Sequence, residues 1–373
     1  MSRTAGPLGL VLSGGGARAA YQVGVLLRIA ERVPDLEIPI ITGVSAGAIN
    51  ATLLAGHGGD FASAVRELGR CWESLTLTQV MDARLGTALT AALRLVWKGA
   101  THAAGLEFRS LVDVSPLRGF LEPRAPLAGI GANVASGRLR ALGLSATCYE
   151  SGETITFVQG GREVPGWRRA KRRSVSAVIT LDHVMASSAI PLVFPAVPLD
   201  GGHFGDGSVR LTAPLSPAIH LGAARIITIT MRHAGNEECF SPVTVPYPSP
   251  GQILGLLLNA VFLDALDADI ERLERLNTLI ARVPPADEIP HGLRSIALLA
   301  IQPSVDLATP ARNLEVRLPF ALRLLSRALG LTENAAAHFV SYLLFEQPYI
   351  RRLMNIGYDD AGNQWEAIAR FLD

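Results

Sequence analysis

Within its first 55 residues the chain runs twice through an apolar strand, a glycine turn and a helix. Leu8-Gly9-Leu10-Val11-Leu12 is the short, continuous apolar run of a buried strand. Ser13 to Ala17 is a glycine-rich turn. Ala19 to Val33 then places Val23, Leu26, Leu27 and Ala30 on one helical face until Pro34 ends it. Ile38 to Ile41 repeats the apolar run, Gly43-Val44-Ser45-Ala46-Gly47 repeats the turn, and Ala48 to Leu54 favours helix. Strands alternating with helices imply parallel pairing through crossover connections. The expected fold class is α/β, with a mostly parallel central sheet and helices on both faces.

At 373 residues and 49% hydrophobic, the chain can bury a core without disulfides or a structural metal. Cys71, Cys148 and Cys239 are far apart and odd in number, so they form neither a disulfide framework nor a zinc spacing. A net charge of +1 gives no global argument for nucleic acid. Met1 to Leu12 is too short for a signal peptide. The longest apolar helical run, Ile253 to Leu263, falls short of the roughly 20 residues a membrane span needs. The expected location is cytoplasmic, with peripheral membrane contact.

Further along, Phe61 to Ala104 reads as mostly helical, Leu142 to Tyr149 and Glu153 to Gln159 as strands, and Trp167 to Arg173 as a basic loop. Val184 to Ile190 is a short helix before Pro191. Asp200-Gly201 is a hairpin turn between Phe194 to Leu199 and His203-Phe204. Leu215 to Leu221 is a helix and Arg225 to Met231 a buried strand. Gly235 to Pro250 is proline- and serine-rich and reads as a linker. Ile253 to Ile280 follows as one long amphipathic helix, Leu293 to Ile301 as a strand, and Pro319 to Leu331 and Asn334 to Phe345 as helices. The division expected is a catalytic domain over residues 7–234 and a mostly helical extension over 235–373.

Backbone N–H groups at Gly14, Gly15 and Gly16, unblocked by side chains at the start of a helix, suit an anion or the oxyanion of a reacting ester. Arg18 would stiffen this turn or support that charge. The same Gly14-x-Gly16-x-x-Ala19 also fits a dinucleotide-binding fingerprint. That fingerprint wants an acidic residue at the end of the next strand, where Thr42-Gly43 stands instead; Asp35 and Glu37 lie at the wrong end. Ser45, flanked by Gly43 and Gly47 on a sharp strand-to-helix turn, has the setting of an exposed nucleophile. None of the eight histidines has the context of its base. The turn also lies on the second strand, too early for an α/β-hydrolase.

Ser13-Gly14-Gly15-Gly16-Ala17-Arg18, Gln22-Val23-Gly24-Val25-Leu26 and Gly43-Val44-Ser45-Ala46-Gly47-Ala48-Ile49-Asn50 closely resemble the patatin-like phospholipases. So do Ala186-Ser187-Ser188-Ala189-Ile190-Pro191 with Phe194-Pro195, and a tail from Tyr342-Leu343-Leu344-Phe345 to Gly357-Tyr358-Asp359 that is similar to bacterial members. The resemblance implies a serine that works with an aspartate and no histidine, in an Asp-Gly-Gly or Asp-Gly-Ala motif before a proline and a helix. Asp200-Gly201-Gly202 matches the letters. Asp206-Gly207-Ser208, with Pro214 eight positions on, matches the spacing. Asp200 is explained by turn chemistry alone, so Asp206 is the preferred partner, with Gly207 supporting it. Ala19, Ser208 and Thr212 depart from the family pattern without removing a catalytic atom.

The function implied is a lipid acyl hydrolase of phospholipase, lysophospholipase or esterase type, forming an acyl-serine on Ser45. No cofactor or metal is expected. A dinucleotide-binding protein, and a catalytically weak lipid-binding or scaffolding relative, are the alternatives. Leu85 to Val96 is apolar enough for a lid or acyl groove. Arg168, Arg169, Lys171, Arg172 and Arg173 suit contact with an anionic membrane.

Overall fold

In the computed structural model, Leu8–Leu12 (β1) and Ile40–Val44 (β2) are buried along their whole length, as continuous apolar runs require. The structure describes residues 6–82, 110, 112–191, 193–233, 253, 256–257, 259–283, 293–313 and 340–373. Leu85 to Val96, the 235–250 linker, Cys239 and the helices expected over 319–331 and 334–339 lie outside the described residues.

β1 pairs in parallel with β2 on one side and with Arg225–Ile229 (β9) on the other. Ala297–Ile301 (β10) extends the sheet beside β9, so chain beyond residue 235 contributes a strand. Ala141–Cys148 (β3) follows β2 in parallel. Glu153–Gly160 (β4) returns antiparallel to β3, and Arg172–Ser176 (β6) and Arg168–Arg169 (β5) close that edge. Val197–Leu199 (β7) and Gly202–Asp206 (β8) form a hairpin that joins the sheet through β3.

Alternate side chains feed two cores. Leu10 and Leu12 of β1 enter the larger core with helices Ala20–Arg32 (α1), Ala46–Gly56 (α2) and Phe61–Ser74 (α3). Val11 enters the smaller one with Ala218 and Leu215, beside Ser216–His220, and with Leu266, Ile270 and Leu273 of Ala265–Ile280. This is a mostly parallel mixed sheet with helices on both faces.

Residues 347–363 and 365–372, which the sequence reading did not assign, are helical. Gln347–Asn363 lies along α1 at glycine distance. A Cβ at Gly24 would stand 1.9 Å from the Met354 carbonyl oxygen, and one at Gly357 2.2 Å from that of Tyr21. The Tyr21 hydroxyl donates to Asp360 Oδ2 at 3.1 Å in the same seam.

Two expectations change. Trp167 to Arg173 is an ordered hairpin, β5–β6, with Arg168 opposite Arg173 and Arg169 opposite Arg172. The described residues of the helix expected over Ile253 to Ile280 are helical, but the run carries a π-helical turn at Ala260–Asp264 ahead of Ala265–Ile280.

Candidate active site

β2 stops at Val44, opposite Ser145, while β3 continues to Cys148. β8 arrives from the other direction and pairs with that remainder, Asp206 opposite Ala146. Val44 and Asp206 thus take consecutive rungs on β3. This brings Ser45, the next residue of the chain, to Asp206 across 160 positions of sequence.

Ser45 sits at φ 57 and ψ −132, a backbone region that costs a residue with a side chain about 1–3 kcal/mol. Its own peptide groups are held. Ser45 N–H donates to Ser187 Oγ at 3.1 Å, and Ser187 Oγ donates in turn to the Ser145 carbonyl at 2.6 Å. The Ser45 carbonyl accepts from Ser188 Oγ at 3.0 Å and from Ala48 N–H at 2.8 Å. The flanking glycines answer to space: a Cβ at Gly43 would lie 2.4 Å from the Gly47 carbonyl oxygen, and one at Gly47 2.2 Å from that of Leu12.

Asp206 is fully buried. Oδ1 accepts from Ser208 N–H at 2.9 Å, Asp206 N–H donates to the Ala189 carbonyl at 2.8 Å, and Thr147 Oγ1 donates to the Asp206 carbonyl at 2.9 Å. Oδ2 is buried and makes no hydrogen bond of normal geometry among the described residues. Burial pushes the carboxyl up to about 6; the nearby Ser45 hydroxyl and the Ser208 N–H and hydroxyl pull it back part of the way. Gly207 lets this bend pack on β3, since its Cβ would stand 2.2 Å from the Ser145 carbonyl oxygen. Among the described residues no histidine acts on Asp206. Asp200 lies elsewhere: at φ 48, with Gly201 at φ 81, it forms the exposed β7–β8 turn.

The glycine turn closes the third side. A Cβ at Gly14 would lie 2.8 Å from Ser45 Cβ and 2.7 Å from Ser208 Oγ. Gly16, at φ 55, presses against the Tyr342 carbonyl oxygen, 2.1 Å from where its Cβ would be. Gly15 lies against the Met231 side chain. The Gly14 and Gly15 N–H groups donate to no acceptor among the described residues. Arg18 is buried. Its Nε and Nη2 donate to Ser341 Oγ at 2.9 and 2.7 Å, and its guanidinium lies 4.1 Å from the Tyr342 ring centroid. Arg18 therefore stiffens the turn by tying it to residues 341–342.

Behind the loop a buried relay fixes α1, α2 and α3 together. Trp72 Nε1 donates to Asn50 Oδ1 at 2.7 Å, Asn50 Nδ2 to Gln22 Oε1 at 3.0 Å, and Gln22 Nε2 to the Ser13 carbonyl at 3.1 Å. Ser45 lines a narrow pocket walled by Ile49, Cys71, Trp72, Leu117, Phe120 and Phe345. Its lining is apolar, and burial pushes the Cys71 thiol up to about 11, which keeps it protonated and unreactive. The roles of Ser187, Ser188 and Tyr342 were missed in the sequence. The two serines stood in a recognisable stretch, but nothing local tied them to Ser45.

The patatin-like phospholipase family model matches residues 10–219, a span that contains the glycine turn, Ser45 and Asp206. No curated protein matches the chain significantly. Among solved structures, VipD from Legionella pneumophila is 12% identical with a TM-score of 0.39, covering 97% of this chain and 67% of that one. Human GIVD cytosolic phospholipase A2, solved in complex with methyl gamma-linolenyl fluorophosphonate, is 13% identical with a TM-score of 0.45. That match covers 99% of this chain but only 58% of the human chain's length.

Proposed function

The chain belongs to the patatin-like phospholipase family, and from that premise we propose that it hydrolyses fatty-acyl esters of lipids with Ser45 as nucleophile and Asp206 as base. The observation that carries this reading is a strained serine that lines an apolar pocket, set beside a buried carboxylate whose Oδ2 has no other partner among the described residues.

Ser45 Oγ attacks the ester carbonyl carbon while its proton passes to Asp206. The N–H groups of Gly14, Gly15 and Gly16 face the developing oxyanion, where fixed dipoles act without reorganising. The carbonyl re-forms, the ester C–O bond breaks, and Asp206 returns its proton to the departing alcohol. A water molecule then gives a proton to Asp206 and attacks the acyl-serine. The second tetrahedral species collapses to the free fatty acid, and Ser45 takes back its proton. The raised carboxyl supports this role, because a base near about 6 holds a proton better than an ordinary aspartate and is still ionised at neutral pH. The acyl chain would lie among Trp72, Leu117, Phe120 and Phe345. Binding there needs only apolar burial, which suits fatty-acyl groups generally.

A fluorophosphonate probe on the purified chain tests the reading. Labelling at Ser45, lost in Ser45→Ala together with ester hydrolysis, is the expected result. Full hydrolysis by Ser45→Ala, or an inactive Asp200→Asn beside an active Asp206→Asn, would overturn it.

A further inference from the structure

Two features outside the pocket flank Ser45 at the same end of the sheet. The first is the β5–β6 hairpin. Thr147 of β3 stands opposite Thr154 of β4, and Thr154 opposite Arg172 of β6. The hairpin turn is therefore level with the end of β3 where Asp206 and Ser45 meet. It lies three strand spacings from β2, about 14 Å. Arg168, Arg169 and Lys171 are exposed there. Glu153 pairs with Arg168 at 3.9 Å and with Arg173 at 3.4 Å. Arg169 and Lys171 have no ion pair among the described residues. One or two charges are enough to keep an edge strand from pairing, and here five basic residues occupy six positions. The base of the hairpin is anchored: the Trp167 ring stacks on His220 at 5.1 Å between centroids, and the Trp167 backbone N–H donates to Ser174 Oγ at 2.8 Å.

The second feature lies on the other side of Ser45. Ile253, Leu256 and Leu257 are helical and 45%, 69% and 57% exposed. Their i, i+3, i+4 spacing gives one apolar face. The chain then passes through the π-helical turn and lays Phe262 on the glycine loop, 3.3 Å from where a Gly14 Cβ would be. Phe262 also meets the Tyr342 ring at 5.4 Å between centroids. Arg232, just past the end of β9, pairs with Asp264 and Asp267 and fixes this segment at the Ser45 end of the sheet.

We propose that this end of the molecule docks on an anionic lipid bilayer, with Ile253, Leu256 and Leu257 entering the acyl region and Arg168, Arg169 and Lys171 meeting the headgroups. The proposal rests on the lipid-hydrolase reading. A bilayer lipid can reach an apolar pocket beside Ser45 without crossing water only if the pocket mouth lies on the membrane. Cations alone would suit any polyanion. An exposed leucine pair on the opposite flank suits a surface that is charged outside and apolar beneath.

The test uses the full-length Ser45→Ala protein, which cannot consume its target, in co-sedimentation with vesicles. Binding to phosphatidylcholine–phosphatidylserine vesicles is expected to exceed binding to phosphatidylcholine alone and to fall as salt is raised. The triple variant Arg168→Gln/Arg169→Gln/Lys171→Gln should bind anionic vesicles about a hundredfold more weakly. Leu256→Ser/Leu257→Ser should weaken binding at least tenfold on the same vesicles. In the background that retains Ser45, both sets should leave hydrolysis of a soluble short-chain ester unchanged. That result also shows that the variants fold. Binding that ignores anionic lipid and salt, that survives both sets of substitutions, or that is matched by a DNA duplex of the same charge would overturn the proposal. Absence of soluble-ester hydrolysis with Ser45 present would instead refute the hydrolase reading, and the vesicle result would be judged separately.

Discussion

Replacing Asp206 by asparagine should abolish turnover and at the same time stabilise the fold, by an amount that depends on pH. The carboxyl is raised from its ordinary 3.8 to about 6 by burial. A raised acid binds its proton more tightly folded than unfolded. Between those two values the unfolded chain has released the proton while the folded chain keeps it, so stability falls as pH rises through this window and stays lowered above it. At about 1.4 kcal/mol per pKa unit, the loss above about pH 7 comes to about 3 kcal/mol. Asparagine carries no charge at any pH, and its Oδ1 can still accept from Ser208 N–H. Its amide nitrogen takes the place of Oδ2, which has no partner of normal geometry, and that costs about 1 kcal/mol. The net gain is about 2 kcal/mol. With an unfolding entropy of about 2.1 cal/mol/K per residue over 373 residues, Tm should rise by about 2–3 °C at about pH 7.5. Near pH 4 most of the advantage disappears, because wild-type Asp206 is then protonated and buried without charge. Scanning fluorimetry of the two proteins at both pH values reads the difference directly, since their other titrating groups cancel. A gain of equal size at both pH values, or a less stable variant at neutral pH, would refute the claim that Asp206 is held as a strained base.

With Asp206 as the proposed base, the same carboxyl should set the rate. kcat/KM on a soluble ester should climb tenfold per pH unit below about 6 and level off above it, because Asp206 must be ionised to accept the Ser45 proton. Ser188→Ala removes one support of the strained elbow at the cost of about one hydrogen bond; kcat should fall about tenfold with KM unchanged in steady-state assays. Phe120→Trp fills part of the pocket, so a panel of esters of increasing chain length should show the optimum moving to shorter acyl groups while the shortest ester is unaffected. Gly16→Ala forces a side chain into positive φ and onto the Tyr342 carbonyl; it should lower stability by more than about 2 kcal/mol by urea denaturation.

What the sequence disclosed was local chemistry. The two strand–glycine–helix units, the Ser45 turn and the Asp200-Gly201 hairpin each follow from neighbours within a few residues, and each forms, although the second strand runs over Ile40–Val44 rather than Ile38 to Ile41 and its helix starts at Ala46 rather than Ala48. What stayed hidden depends on partners distant in sequence. Gly24 and Gly357 look like ordinary helix-weakening glycines until α1 and Gln347–Asn363 are laid side by side. The basic run read as a loop because its charges mask any alternation. Pairing settles it: Arg168 and Arg169 face Arg173 and Arg172, and Thr154 N–H donates to the Lys171 carbonyl at 2.9 Å. Asp206 was chosen over Asp200 by spacing and turn chemistry, but its approach to Ser45 depends on the β8–β3 register, which no local pattern encodes.

Residues 187–189 explain how a strained Ser45 and a buried Asp206 keep their mutual position. Ser187 and Ser188 hold the N–H and the carbonyl of Ser45, and the Ala189 carbonyl receives the Asp206 N–H. Three consecutive residues at the end of one short helix thus grip both sides of the pair. Ser187 also donates to the Ser145 carbonyl on β3, the strand that Val44 and Asp206 both join. The helix end and β3 fix the same separation from two directions. A strain of about 1–3 kcal/mol at Ser45 can persist only if its surroundings overdetermine it in this way. The third direction is supplied by Gly14, packed against Ser45, and by the Arg18 contacts to residues 341–342 that hold the glycine turn. A change at Ser341 or Tyr342, some 300 residues beyond the nucleophile in sequence, therefore acts on the same turn that the oxyanion would face.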